Sequence, residues 1–352
     1  MEIPVSSRKL LPIFVRMGRS RTKYKAGFIS TNGEVVIPPT YDRSQSFRNG
    51  RAAVRLGEKW GAIDEAGDLV IPPRFSGPLV FTEGLAQFTL PGDRRGVVDL
   101  KGNVVIPARY RSVSHFGDGL ACVQSGELYG FIDRLGREVI PPFFEDARAF
   151  SEGLAAVKLG GKWGYIRTDG TSAISPQFVC ERAIAGPFRQ GLARVAKDGK
   201  WGHINRDAEF VVAPRFDMAY EFSEGMADVQ LGKRCGFVNL FGELVIDTIY
   251  SRVEKFSEGV AQVTAGTNYV GDSKKLPCEV GFIDNAGNFA ISPRFFRAGR
   301  FQLGRCLVET QEKIGYIDHS GAFIWKGSLV ELGSFDPHHL LPPETVQREE
   351  SQ

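Results

Sequence analysis

Residues 130–157 read GFIDRLGREVIPPFFEDARAFSEGLAAV, and this stretch decides the fold. Gly130-Phe131-Ile132-Asp133 leads through Arg134 and Leu135 to Gly136. Asp at the first turn position and Gly three residues later fit a type I turn closed by a residue of positive φ, where glycine avoids a Cβ clash. The second strand, Glu138-Val139-Ile140, runs into Pro141-Pro142. Proline has no amide proton to continue a ladder, so the strand must end there or lie at a sheet edge. An aromatic residue, Phe144, follows. The third segment begins Phe150-x-x-Gly153, and Ala155 and Val157 then set a small-then-large period of two.

The pattern recurs along the whole chain. Its opening glycines are Gly27, Gly61, Gly96, Gly130, Gly164, Gly202, Gly236, Gly281 and Gly315, spaced by 34, 35, 34, 34, 38, 34, 45 and 34 residues. Every complete unit carries the aromatic residue after the apolar triplet. Every complete unit also carries the Phe of the third segment: Phe47, Phe81, Phe116, Phe150, Phe188, Phe222, Phe256 and Phe301. A unit of this size is too small to bury a core of its own. The expectation is therefore an all-β chain of three- or four-stranded antiparallel meanders, with aromatic and aliphatic positions buried between neighbouring units.

Trp60, Trp163 and Trp201 stand just before the opening glycine of their units, each preceded by lysine (Lys59, Lys162, Lys200), and Tyr129 takes the same place in a fourth. With the Phe-Ser-Glu-Gly-Leu-Ala type of segment, this resembles the bacterial WG-repeat (KWG-repeat) family from about Ile13 to Trp325. The resemblance implies an interaction or scaffold protein. Arg95, Cys235, Val280 and Ile314 depart from the tryptophan, Ala208 from the turn glycine and Asp247-Thr248 from the prolines. Individual turns are in question at those places.

The domain reading is an N-terminal extension over 1–10, a repeat domain over 11–325 and a mobile C-terminal tail over 326–352. Residues 12–17 resemble the closing strand of a unit, and 315–325 supply the opening part of another, so the two ends are expected to complete one shared unit. Sharing a unit removes exposed sheet edges. A closed propeller-like toroid is therefore favoured, with an open β-solenoid as the alternative.

Forty-four Lys and Arg against 41 Asp and Glu leave a net charge of +3, which gives no reason to expect a nucleic-acid partner. No apolar run approaches the ~18 residues of a membrane helix, and no export signal is visible, so no membrane association is expected. Five cysteines at wide spacing, Cys122, Cys180, Cys235, Cys278 and Cys306, read as free thiols of a cytoplasmic protein, expected to be a monomer. The histidines and cysteines show no metal-binding spacing, and no nucleophile-elbow, P-loop or dinucleotide motif is present. No metal, cofactor or catalytic residue is assigned.

Arg74, Arg109, Arg215 and Arg294 recur just before the unit's aromatic residue, where guanidinium groups on one face would grip carboxylate or phosphate. The plainer account has each stem covering an aromatic ring. Glu83, Glu152, Glu224 and Glu258, with Asp118 related, recur before the third-segment glycine; the plainer account there is hydrogen bonding within a turn. Trp60, Trp163 and Trp201 invite sugar stacking, but core placement is favoured. Function should lie where units differ. The insertion over 264–280, with Asn268, Tyr269, Lys274 and Lys275, and the stretch 180–187 are accordingly read as surface loops and, with the four arginines, as the candidate binding surface. The leading function is a non-enzymatic scaffold that presents a surface to an unknown protein or peptide. Small-ligand or carbohydrate binding in grooves between repeats is the alternative, and an enzyme at the toroid mouth comes third.

Overall fold

The computed structural model describes residues 9–16, 24–180, 184–265, 279–311 and 313–328, and every regular element among them is a β-strand. The strands form nine antiparallel meander sheets, numbered here as blades 1 to 9. They span 10–41, 43–75, 81–110, 112–144, 146–178, 193–216, 218–250, 252–295 and 297–328. Seven have four strands; blades 1 and 6 have three. The fold class is a β-propeller of nine blades rather than an open solenoid.

Blade and sequence repeat are out of phase. In blade 5 the strands are Asp146–Ala147, Leu154–Leu159, Lys162–Arg167 and Ser172–Phe178. The motif glycine, Gly164, sits in the third strand, so a repeat counted from it holds the last two strands of one blade and the first two of the next. The unit expected from the two chain ends is therefore not a single shared sheet. Residues Leu10–Arg16 pair in register along their whole length with Tyr24–Ser30, while Phe323–Ser328 pair with Lys313–Ile317. The chain ends thus build separate blades, and Lys326, expected in the tail, belongs to the last strand. Leu10, expected in the extension, is buried in the first.

In blades 1 to 6 and 8 the prolines lie inside the last strand, at the sheet edge, where a missing amide proton costs no ladder bond. Two residues are gained there. In blade 4, Phe131 pairs with Ile140 but Tyr129 pairs with Phe144, a bulge that folds the proline segment over Gly130. A Cβ on Gly130 would lie 2.6 Å from the Ile140 carbonyl oxygen and 2.6 Å from Pro142 N. The glycine after Trp is therefore a close-approach position.

Departures from the motif keep the geometry. Ala208 holds φ 64° and closes its turn with a bond from its N–H to Asn205 O at 3.2 Å. Leu244–Tyr250, with Asp247-Thr248, forms a fourth strand as long as the others.

Two compact units divide the chain: 1–74 with 250–352, and 75–249. Within each, hydrophobic cores lie between successive blades. In the second unit, Trp163, Tyr165 and Phe178 of blade 5 pack with Phe188, Val195 and Ile204 on the blade 6 side. An aromatic ladder marks these interfaces. Phe131 meets Phe150 at 4.8 Å between ring centroids, Tyr165 meets Phe188 at 4.9 Å and His203 meets Phe222 at 4.7 Å. In the first unit, Phe28 meets Phe47 at 4.8 Å and Phe282 meets Phe301 at 5.1 Å. The residue after the motif glycine thus packs on the third-segment Phe of the following blade.

Candidate functional site

The Phe-Ser-Glu-Gly segment is a two-residue hairpin of type I′, with both central residues at positive φ: Glu152 at 55° and Gly153 at 79°. The Phe of the motif packs on the preceding blade, while its Ser and Glu bond to the following one. Ser151 Oγ donates to Phe188 O at 2.8 Å, and Ser257 Oγ donates to Phe301 O at 2.7 Å. The Glu152 carboxylate accepts from the N–H groups of Gln190 at 2.6 Å and Gly191 at 3.0 Å, and Glu258 accepts from Gly304 N at 2.8 Å. Asp118 and Gln190 extend the same relay to Gly153 at 2.7 Å and Gly225 at 2.8 Å. Arg206 donates to Glu152 O at 2.7 Å, and Arg134 binds the Glu83 carbonyl and carboxylate. The bonds therefore run between blades as well as within turns.

The motif lysine also has a partner. Lys25 Nζ donates to Asp42 at 2.8 Å while the other Asp42 oxygen accepts from Gly57 N at 2.7 Å; Lys200, Asp217 and Gly232 repeat this at 2.6 and 2.6 Å. The lysine hydrogen bond holds each carboxyl below its usual range.

The candidate arginines lie on the last strands of four separate blades, all exposed. Arg109, Arg215 and Arg294 sit 5.0, 5.0 and 5.2 Å from the centroid of the ring that follows each. Arg109 and Arg294 also donate to the turn carbonyls of Gly136 at 3.1 Å and Gly321 at 2.8 Å on the next blade. The sheet arrangement gives each its own strand. Trp60, Trp163 and Trp201 are buried, which leaves no ring face for a sugar. Asn268, Tyr269, Lys274 and Lys275 lie outside the described residues. At the ends of that insertion, Thr264 and Val280 pair in the second and third strands of blade 8 and are buried. Of 180–187, read as a surface loop, Ala185 is core and Gly186 O accepts the Tyr165 hydroxyl at 2.8 Å.

Titratable groups with large shifts sit in the blade interfaces, moved by burial. The Cys122 thiol is pushed up to about 12, the Cys306 thiol and the Tyr165 and Tyr316 hydroxyls are also raised, and His203 is lowered to about 4. Among the described residues no cluster of three or more His, Cys, Asp and Glu could hold a metal ion, and the four described cysteines are free thiols.

An apolar groove of about 460 Å³ opens between the fourth strands of blades 4 and 5, lined by Ile140, Pro141, Phe143, Leu159, Tyr165 and Pro176 among others. Phe143 is 59% exposed although it occupies the register that Arg74, Arg109, Arg215 and Arg294 take elsewhere. Sequence reasoning followed what recurs and passed over Phe143. The signal was the one aromatic substitution at a basic position.

Repeat by repeat, the model of the WG containing repeat matches residues 27–60, 60–90, 96–129, 129–163, 163–201, 201–235, 236–266 and 281–313. The chain belongs to the WG-containing repeat family. Each match begins near the motif glycine and therefore spans two blades. Among curated proteins, none matches the sequence. In fold the chain is similar to a crystal structure described as the eukaryotic initiation factor, at TM-score 0.62 and 10% identity over 93% of this chain and 98% of that one. The computationally designed Ika8 protein is matched at TM-score 0.48 and 9% identity over 76% of this chain and 92% of that one. BamB from Moraxella catarrhalis is matched at 0.44 and 8% over 73% and 94%. Identities this low speak to fold alone.

Proposed function

We propose that the protein is a non-catalytic propeller that binds a protein or peptide, with the groove between blades 4 and 5 as a docking surface. The observation that carries this is Phe143, a large exposed ring set in an apolar groove on a rim that other blades line with arginine. Exposed apolar surface of this kind marks interaction sites, and an aromatic anchor in a groove is the usual centre of binding energy. The small-ligand alternative draws less support, because the tryptophans are core. The enzyme alternative draws less still: the strongly shifted groups are buried in blade interfaces, apart from the groove lining except for Tyr165, whose hydroxyl is bonded to Gly186.

Panning a displayed library of short random peptides against the intact chain tests the reading. Enrichment of apolar or aromatic sequences whose binding is abolished by Phe143→Arg is expected. Arginine is native to this register on other blades, so the variant should fold. Enrichment that ignores Phe143→Arg, or none, would remove the groove from consideration.

A further inference from the structure

Among blades 1 to 8 the last strand has one design, apolar triplet then proline, and only blade 7 breaks it; blade 9 ends in Phe323–Ser328, which has neither the triplet-proline pattern nor a proline. Pro38-Pro39, Pro72-Pro73, Pro107, Pro141-Pro142, Pro176, Pro214 and Pro293 interrupt the other seven edges; blade 7 has Asp247 and Thr248 instead. An edge strand with intact amides is a template for pairing with another chain, and proline is one of the devices that blunts it. The register of Thr248 is the one proline occupies in blades 5, 6 and 8. In blade 5 that proline leaves the pairings Trp163↔Phe178 and Tyr165↔Ile174 in place. The third strand therefore does not use the amide at this register.

The same edge also presents apolar side chains. Val245 is 43% and Ile249 59% exposed, alternating with exposed Asp247, while Phe241, in the turn that leads into the strand, is 82% exposed. Ile249 takes the register of the recurrent arginines, so this blade has lost both its prolines and its rim cation. The Ile249 carbonyl accepts from Arg234 Nη1 at 2.8 Å, so that acceptor is already used.

We propose that the strand Leu244–Tyr250 is a strand-addition site for an extended partner segment in which a basic residue stands between two apolar ones. This rests on the reading above that the propeller binds protein or peptide, and it assigns a second surface and the partner's chemistry. Added strands gain affinity from main-chain bonds and specificity from alternate side chains. Cross-strand neighbours of Val245 and Ile249 are favoured when apolar, and the neighbour of Asp247 when cationic. A second copy of the chain fits poorly: antiparallel pairing centred on Asp247 would set two carboxylates opposite each other, which is unfavourable.

The test is anisotropy titration of the intact chain with two labelled peptides, one alternating valine with lysine and one alternating valine with glutamate. The chain's net charge of +3 favours the second, so a preference for the first is local. The lysine peptide should bind, lose affinity about tenfold or more with Thr248→Pro, and yield to the glutamate peptide with Asp247→Arg. Thr248→Pro copies blades 5, 6 and 8, so the blade should still form; an unchanged thermal melt checks this. Phe143→Arg should leave the titration unchanged. Binding insensitive to Thr248→Pro, or equal for both peptides, overturns strand addition. If Phe143→Arg abolishes it instead, the groove reading stands and this one falls. If neither peptide binds while panning succeeds at the groove, again only the edge proposal fails.

Discussion

The Tyr316 hydroxyl donates to the Pro12 carbonyl at 2.9 Å, joining residues 304 positions apart, and both groups are buried. The bond repeats a local one. Tyr165, the same position in blade 5, donates to Gly186 O of blade 6 at 2.8 Å, and His203 Nε2 meets Tyr220 O of blade 7 at 2.7 Å. Blade 9 thus treats blade 1 as its successor. Two further contacts repeat the pattern: Arg305 donates to Thr31 O at 2.8 Å, and Gly33 backs onto Ile324 O as Gly242 backs onto Val211 O. Among the described residues no sheet takes strands from both chain ends. Side-chain packing and hydrogen bonds join them.

Tyr316→Phe removes that bond and leaves the Pro12 carbonyl without its donor. An orphaned buried acceptor costs about 1–3 kcal/mol, so a drop of that size in denaturant stability is expected, with Tyr165→Phe as the like-for-like comparison. A Tyr316→Phe protein as stable as wild type would mean water or a shifted backbone satisfies the carbonyl.

His203 supplies a pH dependence. Its ring is buried, and since Tyr220 O can only accept, the proton sits on Nε2; Nδ1 has no partner among protein atoms. Burial lowers the pKa from 6.5 to about 4, helped by Arg194 and opposed by the Tyr220 bond and Glu221. The folded pKa lies below the unfolded one, so the unfolded chain binds the extra proton first. Stability is full above about pH 6.5 and is lost as pH falls toward 4, by up to about 3 kcal/mol. His203→Phe, the residue found at this position in blades 4, 7 and 8, should flatten that part of the stability–pH curve. A slope unchanged by His203→Phe would assign the acid sensitivity elsewhere.

The fold was legible because each blade borrows its core from its neighbour, which forces the same residues to recur in every unit. Phe150, Gly153, Ala155 and Gly136 could be read from spacing alone. The phase could not. Gly164 opens the repeat in sequence but sits mid-sheet, because the outer strand ends a blade only once folded. The role of Glu152 was half legible: its turn was visible, but its acceptors' donors, Gln190 N and Gly191 N, lie in the next unit. Surface features went unread for the opposite reason. Phe143, Phe241 and Ile249 do not recur, and their meaning rests on exposure.

Gly130→Ala tests the close-approach reading of the motif glycine. The added Cβ would meet the Ile140 carbonyl and Pro142 N, backbone atoms of a bulge that cannot rotate away. Overpacking of this kind costs about 3 kcal/mol, whereas Gly153→Ala, with nothing within 4 Å of its Cβ, carries only the strain of φ 79°. Equal losses in the two variants, measured by chemical denaturation, would show that backbone conformation alone selects the glycines.

Ala208 offers the converse. It closes its turn at φ 64°, where the corresponding residues Gly136, Gly170 and Gly242 hold φ 78°, 82° and 83°. An L-residue in the left-handed region costs about 1–2 kcal/mol, and glycine recovers part of that while adding chain entropy to the unfolded state. Ala208→Gly should therefore stabilise the protein by about 1 kcal/mol. Ala208 also packs in part against the blade 5–6 core, so the methyl is not wholly idle. The sign of the change decides which term wins: a higher unfolding midpoint assigns Ala208 as stored strain, and a lower one assigns it as packing.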